Sequence, residues 1–273
     1  MTVAEADYAF VTDLVGRRSA IVLGNDKQYL VESRLTPVAR QAGVASVGEL
    51  ISQLRTKNDP TLATAVLDAM MTKETSFFRD VHPFTAMRDI VLPELLERNR
   101  LRRRMRIWSA ACSTGQEVYT IAMLLDQHPE LAGWDVGLLG TDLSPSALEK
   151  ARSGRYSGLE VNRGLPAPLL LRYFEREGLT YRVNDRLRAM TSFQPLNLIE
   201  PLPTNAVWDI VLLRNVLIYF DLATKRRVLE AVHRVMAPGS YLVLGGAETT
   251  LGLTRSFAPV QVGATTVYRA EAT

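Results

Sequence analysis

The sequence predicts an α/β chain: an open, mostly parallel sheet with a small antiparallel β insertion, preceded by an all-α N-terminal domain. Three observations carry this. No segment before about Met71 reads as a strand, whereas short amphipathic helices with clear start signals do. From Arg106 onward apolar strands alternate with helical stretches, the pattern of right-handed βαβ units in a parallel sheet. Three of those strands run into polar or small-residue loops, and open α/β sheets bind ligands in the crevice outside such strand ends.

The elements follow from local chemistry. Asn25 and Asp26 are expected to cap a helix that ends before Gly43, with a bend or break at Pro37, because interior proline removes a hydrogen bond. Ser46-Val-Gly-Glu49 has the form of a capping box ahead of Leu50, Ile51 and Leu54. Asp59-Pro60 sets a cap residue before a first-turn proline. Helix is predicted from Pro83 to Arg98, strand from Arg106 to Ala111, helix from Glu117 to Gln127 and strand from Val136 to Thr141. Ser144-Pro145 opens a helix through Arg152, Asp209 to Leu213 is a strand, and Asp221 caps a helix running to Met236, stopped by Pro238-Gly239. Tyr241 to Leu244 and a hairpin around Gly263-Ala264 close the chain. Tyr173 to Val183 and Arg188 to Phe193 interrupt the alternation and read as the antiparallel insertion. The division expected is a helical domain over 1–71 and an α/β domain over 72–273, with the insertion at about 165–195.

At 273 residues and 47% hydrophobic the chain can bury a sizeable core. No apolar run reaches the roughly 18 residues needed to span a membrane, and the acidic start Met1-Thr-Val-Ala-Glu lacks a signal-peptide pattern. Cys112 is the single cysteine, so no internal disulfide forms and a cytoplasmic location is expected. A net charge of +3 does not by itself argue for nucleic acid. The basic run Arg98 to Arg106 reads as a solvated connector ahead of a buried strand rather than a binding tract.

The chemistry sits at the strand ends. Ser109-Ala-Ala-Cys-Ser-Thr-Gly115 is dominated by small residues, as a backbone passing close to a ligand requires. It has neither the glycines of a dinucleotide fingerprint nor the lysine of a P-loop. That disfavours a pyrophosphate and favours an uncharged or zwitterionic adenosine ligand. Asp142 follows the second strand, where an acid accepts from ribose hydroxyls; Ser144 is expected to supply the helix cap and leave Asp142 free. Glu117, in a first helical turn, complements the helix dipole and suits a ligand ammonium. Arg214 and Asn215 end an apolar strand at its carboxyl edge, where packing explains an arginine poorly. No HExxH or Cys/His cluster occurs, and His82, His128 and His233 are scattered, so no metal is expected.

These segments resemble the CheR family of chemotaxis receptor methyltransferases. Met71-Thr-Lys-Glu-Thr75-Ser-Phe77-Phe78-Arg79-Asp80 resembles the family's linker motif, Ala110 to Glu117 its first cofactor motif, and Thr141-Asp142-Leu-Ser its ribose turn. Phe193-Gln-Pro-Leu-Asn197-Leu198 is similar to its adenine-edge segment, and Leu213-Arg214-Asn215-Val-Leu-Ile-Tyr219-Phe220-Asp221 to its most specific motif. The likeness covers almost the whole chain. It implies a Rossmann-like class I S-adenosylmethionine methyltransferase sheet and transfer of a methyl group to receptor glutamates, leaving S-adenosylhomocysteine. It implies Thr75 and Arg79 at the methionine end of the cofactor, Glu117 at the amino group, Asp142 at the ribose, and Asn197 and Leu198 at the adenine. It also implies Arg214 and Asn215 beside the sulfonium, Tyr219 facing the transferred methyl, and catalytic roles for Arg79 and Tyr219. Arg34 and Arg40 match a basic helix that engages the receptor, the cytoplasmic domain of a methyl-accepting chemotaxis protein; the enzyme is expected to be a monomer without nucleic acid or membrane insertion. Lys73 stands where the family usually has Asn, and Gly245-Gly-Ala247-Glu248 where it has Gly-x-Ser-Glu. The turn Glu175 to Thr180 is short, which predicts independence from a receptor tail peptide. A methyltransferase acting on another protein in a regulatory pathway remains the alternative.

Overall fold

Start signals in the first seventy residues produce helices. The computed structural model describes residues 3–24, 26–57 and 59–272. Four helices come first: α1 (Glu5–Ser19), α2 (Gln28–Gln41), α3 (Val47–Lys57) and α4 (Pro60–Met70). Their apolar faces close on one core, with Val11 and Val15 from α1, Val31 and Leu35 from α2, and Leu50 and Ile51 from α3 all fully buried. Asp59 caps α4 as expected, accepting from the amides of Thr61 (2.8 Å) and Leu62 (3.3 Å). At α3 the Ser46 hydroxyl accepts from the Glu49 amide, but the Glu49 carboxylate reaches the amide of Ala45, one residue before the expected partner.

Two expectations fail in α2. Its cap position is Lys27, without a side-chain cap bond; Asp26 pairs with the Lys27 ammonium instead, and Asn25 lies outside the described residues. The helix also runs unbroken through Pro37. Four apolar residues on one face, Val31, Leu35, Val38 and Ala39, are buried on both sides of the proline, and tertiary packing outweighs the single bond lost. Residues Met1–Thr72 and Tyr219–Thr224 group as one compact unit, and Lys73–Ile218 with Lys225–Thr273 as a second.

In the second unit a helical run opens with α5 (His82–Ala86), passes through a π-turn at Met87–Val91 and continues as α6 (Leu92–Asn99). Pro93 has no N–H for a carbonyl four residues back, and the wider turn, with the Leu92 amide bonded to the Met87 carbonyl, absorbs it. Then follow β1 (Arg104–Ser109), α7 (Gln116–Asp126), β2 (Asp135–Asp142), α8 (Pro145–Ser153), β3 (Arg155–Ser157), α9 (Gly158–Asn162), α10 (Ala167–Tyr173), β4 (Phe174–Glu177), β5 (Thr180–Val183), α11 (Asp185–Ala189), β6 (Thr191–Pro195), β7 (Trp208–Leu213), α12 (Leu222–Arg234), β8 (Met236–Leu244), β9 (Phe257–Val262) and β10 (Thr265–Ala270).

The large sheet has the order β6-β2-β1-β7-β8-β10-β9. β6, β2, β1, β7 and β8 run parallel to one another, and β10 pairs antiparallel with both β8 and β9. From β1 the chain builds outward to β2 and β6, then returns to lay β7 on the other side of β1. The strand order therefore reverses between β1 and β7, the topological switch point at which such sheets take a ligand. The insertion is a separate three-stranded antiparallel sheet, β3-β5-β4. Here the expected limits need correction: the Arg188–Phe193 segment is not part of it. Asp185–Ala189 is helical, and Thr191–Pro195 is the edge strand of the large sheet, paired with β2 from Leu138↔Thr191 to Asp142↔Pro195. Its alternating half-exposed pattern is that of an edge, which reads in sequence like a surface hairpin. The predicted stop at Pro238-Gly239 is corrected too. α12 ends at Arg234, and both residues lie inside β8, where the register against β7 shifts between Trp208 and Ile210 and Gly239 takes φ +75°. A bulge admits the proline and glycine that a regular strand would exclude.

The basic connector is internally satisfied. Buried Asp209 accepts from Arg98 (2.7 Å), Arg102 (2.8 Å), the Asn99 amide group (3.1 Å) and the Arg106 backbone N–H (2.8 Å), anchoring the run at the start of β7. Among the described residues, no helix is long and apolar enough to cross a membrane.

Candidate active site

The carboxyl ends of β2, β1 and β7 bring most of the expected site residues of this unit to one rim. After β1, the Ala110 amide bonds to the Leu212 carbonyl (2.8 Å) and the Cys112 amide to the Thr141 carbonyl (2.8 Å), so the small-residue loop is tied to both neighbouring strands. Ser113 and Gly115 adopt left-handed backbone, φ +50° and +93°. At Gly115 a side chain is excluded by packing as well as by φ: an added Cβ would lie 2.8 Å from the Ala151 methyl and 3.1 Å from the Tyr156 hydroxyl. Cys112 is buried, and that burial, with the charges of Asp142 and Glu117, pushes its thiol well above the ordinary cysteine range. It is a packing residue, not a nucleophile.

Glu117 and Arg214 form the buried centre. The Glu117 carboxylate accepts from the Ser109 hydroxyl (2.8 Å) and from the Arg214 guanidinium (2.8 Å). Arg214, whose side chain is only 1% exposed, donates also to the Arg79 carbonyl (2.8 Å) and the Asp80 carboxylate (2.8 Å). Its guanidinium stacks over Phe84, 5.2 Å from the ring centre. The Nε of Arg214 is buried without a partner among the described residues. Arg214 is thus a strut joining the first turn of α7 to the 79–80 segment.

That segment is strained. Phe78, Asp80 and Val81 all have positive φ (+48°, +68°, +48°), each costing about 1–3 kcal/mol, most for β-branched Val81. It persists because its neighbours determine it. Phe77 is fully buried, edge-on to Tyr156 (5.1 Å) and Phe174 (5.5 Å). The Phe78 amide donates to the Thr120 hydroxyl (3.1 Å), and the Phe77 carbonyl oxygen would lie 2.1 Å from a Cβ at Gly164. The Arg79 side chain is half-buried and donates to the Glu74 carbonyl (3.1 Å). Lys73 donates to the Ser146 hydroxyl (2.7 Å), while its carbonyl accepts from the Ser113 hydroxyl (2.9 Å). Lys73 and Thr75 share a cleft of about 490 Å³ with Thr114, Gln116, Lys150 and Arg163.

Asp142 is not left free, which corrects the expectation that Ser144 alone caps α8. Ser144 does accept from the Ala147 amide (3.1 Å). Asp142 accepts from the amides of Ser113 (2.8 Å) and Ser144 (2.9 Å), one per oxygen. The half-exposed Asp142 thereby fixes the loop after β1 to the start of α8. Asn197 bonds to the Glu200 carboxylate (3.1 Å), and Leu198 is buried beside it. Asn215 takes φ +57°.

Glu248 was missed as a site residue. It lies beyond the end of β8 and accepts from four amides: Asn215 (2.6 Å), Gly245 (2.8 Å), Val216 (3.0 Å) and Ile218 (3.3 Å). The signal available was its place in Gly245-Gly-Ala247-Glu248, which stands where the family has Gly-x-Ser-Glu. The other expected residues fall in the helical unit. Arg34 donates to the Met70 carbonyl (2.6 Å) and the Thr72 hydroxyl (3.4 Å), Arg40 is exposed, and the Tyr219 carbonyl accepts from the Val22 amide (3.0 Å).

These groups fit an adenosine ligand with an amino-acid end. The acids Glu117 and Asp142, at the strand ends on either side of the small-residue loop, suit an ammonium and ribose hydroxyls. Comparisons with known proteins agree. A family model for the CheR methyltransferase SAM-binding domain matches residues 73–266, and one for the CheR methyltransferase all-alpha domain matches residues 6–71. The chain is 40% identical to chemotaxis protein methyltransferase 1 of Pseudomonas aeruginosa, covering 99% of this chain and 100% of that protein. It is 37% identical to chemotaxis protein methyltransferase Cher2 of Pseudomonas putida, covering 99% and 100%. It is also 37% identical to the chemotaxis protein methyltransferase of Vibrio parahaemolyticus, covering 98% of each.

Proposed function

The chain belongs to the CheR methyltransferase family, and on that premise we propose that its methyl acceptor is the side-chain carboxylate of glutamates in the cytoplasmic domain of chemotaxis receptors. Its cofactor is S-adenosylmethionine, which when bound supplies a methyl group on a sulfonium, open to in-line attack by an oxygen nucleophile. The observation that carries the reading is the buried Arg214 strut, which ties Glu117 in the first turn of α7 to the strained 79–80 segment through two ion pairs.

Each residue then has a role that needs no metal and no general base. A glutamate is already ionised at neutral pH, with an ordinary pKa of about 4.3, so catalysis reduces to positioning and desolvation. Glu117 holds the cofactor ammonium, and Asp142 receives the ribose hydroxyls. Thr75 lines the methionine end, and Asn197 and Leu198 border the adenine. Arg214 and Asn215 organise the sulfonium side. Arg79 orients the incoming carboxylate, its backbone fixed by Arg214. Residue identity and family likeness support Tyr219 as the group shaping the methyl site, and Arg34 and Arg40 on α2 as receptor contacts. Arg40, exposed where Arg34 is half-buried, is the freer of the two.

The protein acts in the cytoplasm as a monomer. The β4–β5 turn is tight, with Gly178 at φ +61°, and supports action without a tethering receptor tail; measurable calorimetric binding of a receptor tail peptide would overturn that. Calorimetry also tests the cofactor. S-adenosylhomocysteine binds and NAD does not; the reverse would refute the site.

A further inference from the structure

We propose that Glu248 is a positioning residue for cofactor binding: it sets the Arg214–Asn215 turn through four backbone amides, a role that rests on the S-adenosylmethionine site described above. β7 ends at Leu213, and the chain turns away with Asn215 in left-handed conformation. A turn of this kind leaves amides pointing inward without sheet partners, and an unmet buried amide is costly. Glu248 meets them. One of its oxygens accepts from Asn215 (2.6 Å) and Gly245 (2.8 Å), the other from Val216 (3.0 Å) and Ile218 (3.3 Å). Bonds to a carboxylate are shorter and stronger than neutral ones.

The same carboxylate thus gathers amides from the loops after β7 and β8, adjacent parallel strands. Its seat is shaped for it. A Cβ at Gly245 would lie 2.7 Å from both the Asn215 side-chain nitrogen and a Glu248 oxygen, so glycine at 245 leaves the room both side chains need. The direction of Asn215 at the rim therefore depends on Glu248, which itself need not touch the cofactor.

The test uses the full-length protein with two variants. Glu248→Gln keeps the shape but turns one acceptor oxygen into a donor facing amides. Gly245→Ala keeps the carboxylate and crowds it. Both are expected to weaken S-adenosylhomocysteine binding by about tenfold in calorimetry, the scale of one hydrogen bond to a charged group. The KM for S-adenosylmethionine should rise in step, while kcat at saturating cofactor and the KM for receptor stay within about twofold of wild type. A clamp that served stability alone would lower the urea midpoint and leave this KM-against-kcat split unmoved. Folded variants that bind S-adenosylhomocysteine like wild type, or that lose kcat alone, overturn the proposal; if Glu248→Gln does not fold, Gly245→Ala decides it. Wild-type protein unable to bind S-adenosylhomocysteine would instead remove the cofactor site and this role together.

Discussion

Removing the Arg214 guanidinium should destabilise the sheet unit through the charge it abandons. In Arg214→Met the aliphatic stem is roughly replaced, so the cavity contribution is small. What changes is that the Glu117 carboxylate, 10% exposed, keeps the Ser109 hydroxyl but loses its counter-charge. Asp80, at 45% exposure, can be solvated and adds little. Breaking a buried pair from one side costs about 3–5 kcal/mol, a large share of the 5–15 kcal/mol typical of a folded domain. With a urea slope of about 3 kcal/mol/M for a unit of this size, the midpoint should fall by at least about 1 M. All three tryptophans, Trp108, Trp134 and Trp208, lie in the sheet unit, so their fluorescence follows its unfolding alone. The double variant Glu117→Gln/Arg214→Met should recover half or more of the loss, because a neutral amide needs no counter-ion. A fall below about 0.3 M, or a double variant no more stable than the single, would refute the buried-charge argument.

Arg79→Ala should lower the methylation rate by roughly a hundredfold, the scale of lost substrate positioning; receptor methylation at the normal rate would remove Arg79 from the catalytic role. Gly164→Ala, which sets a Cβ 2.1 Å from the Phe77 carbonyl at φ +89°, should shift the 77–81 segment and cut activity more than tenfold by the same positioning argument, whereas full activity would show that the segment is not held there. Burial, and the Asp126 carboxylate that accepts its hydroxyl, push Tyr173 up to about 12. Between pH 10 and 12 the unfolded chain releases this proton while the folded chain keeps it, so stability is intact below 10 and falls through that window. Urea midpoints at pH 9.5 and 11.5 should drop less in Tyr173→Phe than in wild type; equal drops would contradict the shift.

Much of this site was legible because its residues lie at strand ends, where local sequence and position coincide. The apolar runs into Ser109, Asp142 and Arg214 carried their own strand and loop signals. What stayed hidden depends on partners distant in sequence. Asp142 looked free because Ser144 supplies the helix cap, yet the Ser113 amide arrives from the neighbouring loop. Glu248 matched the end of a family segment, but its role shows only once the turn at Asn215 brings its amides in. Thr191–Pro195 has the composition of a hairpin strand, and only pairing with β2 makes it an edge of the large sheet. Pro238-Gly239 reads as a terminator, because a bulge has no signature apart from the strand opposite. The strain at Phe78, Asp80 and Val81 contradicts local preference outright, as is expected where a functional segment is held by its surroundings.

The central claim is tested most directly by following tritium from methyl-labelled S-adenosylmethionine into a panel of receptor cytoplasmic fragments. The account predicts label on glutamate side chains as methyl esters, released as methanol by mild base, and no label on fragments whose glutamates are replaced by alanine. Cofactor binding without transfer to any fragment, or label that survives base, would contradict it.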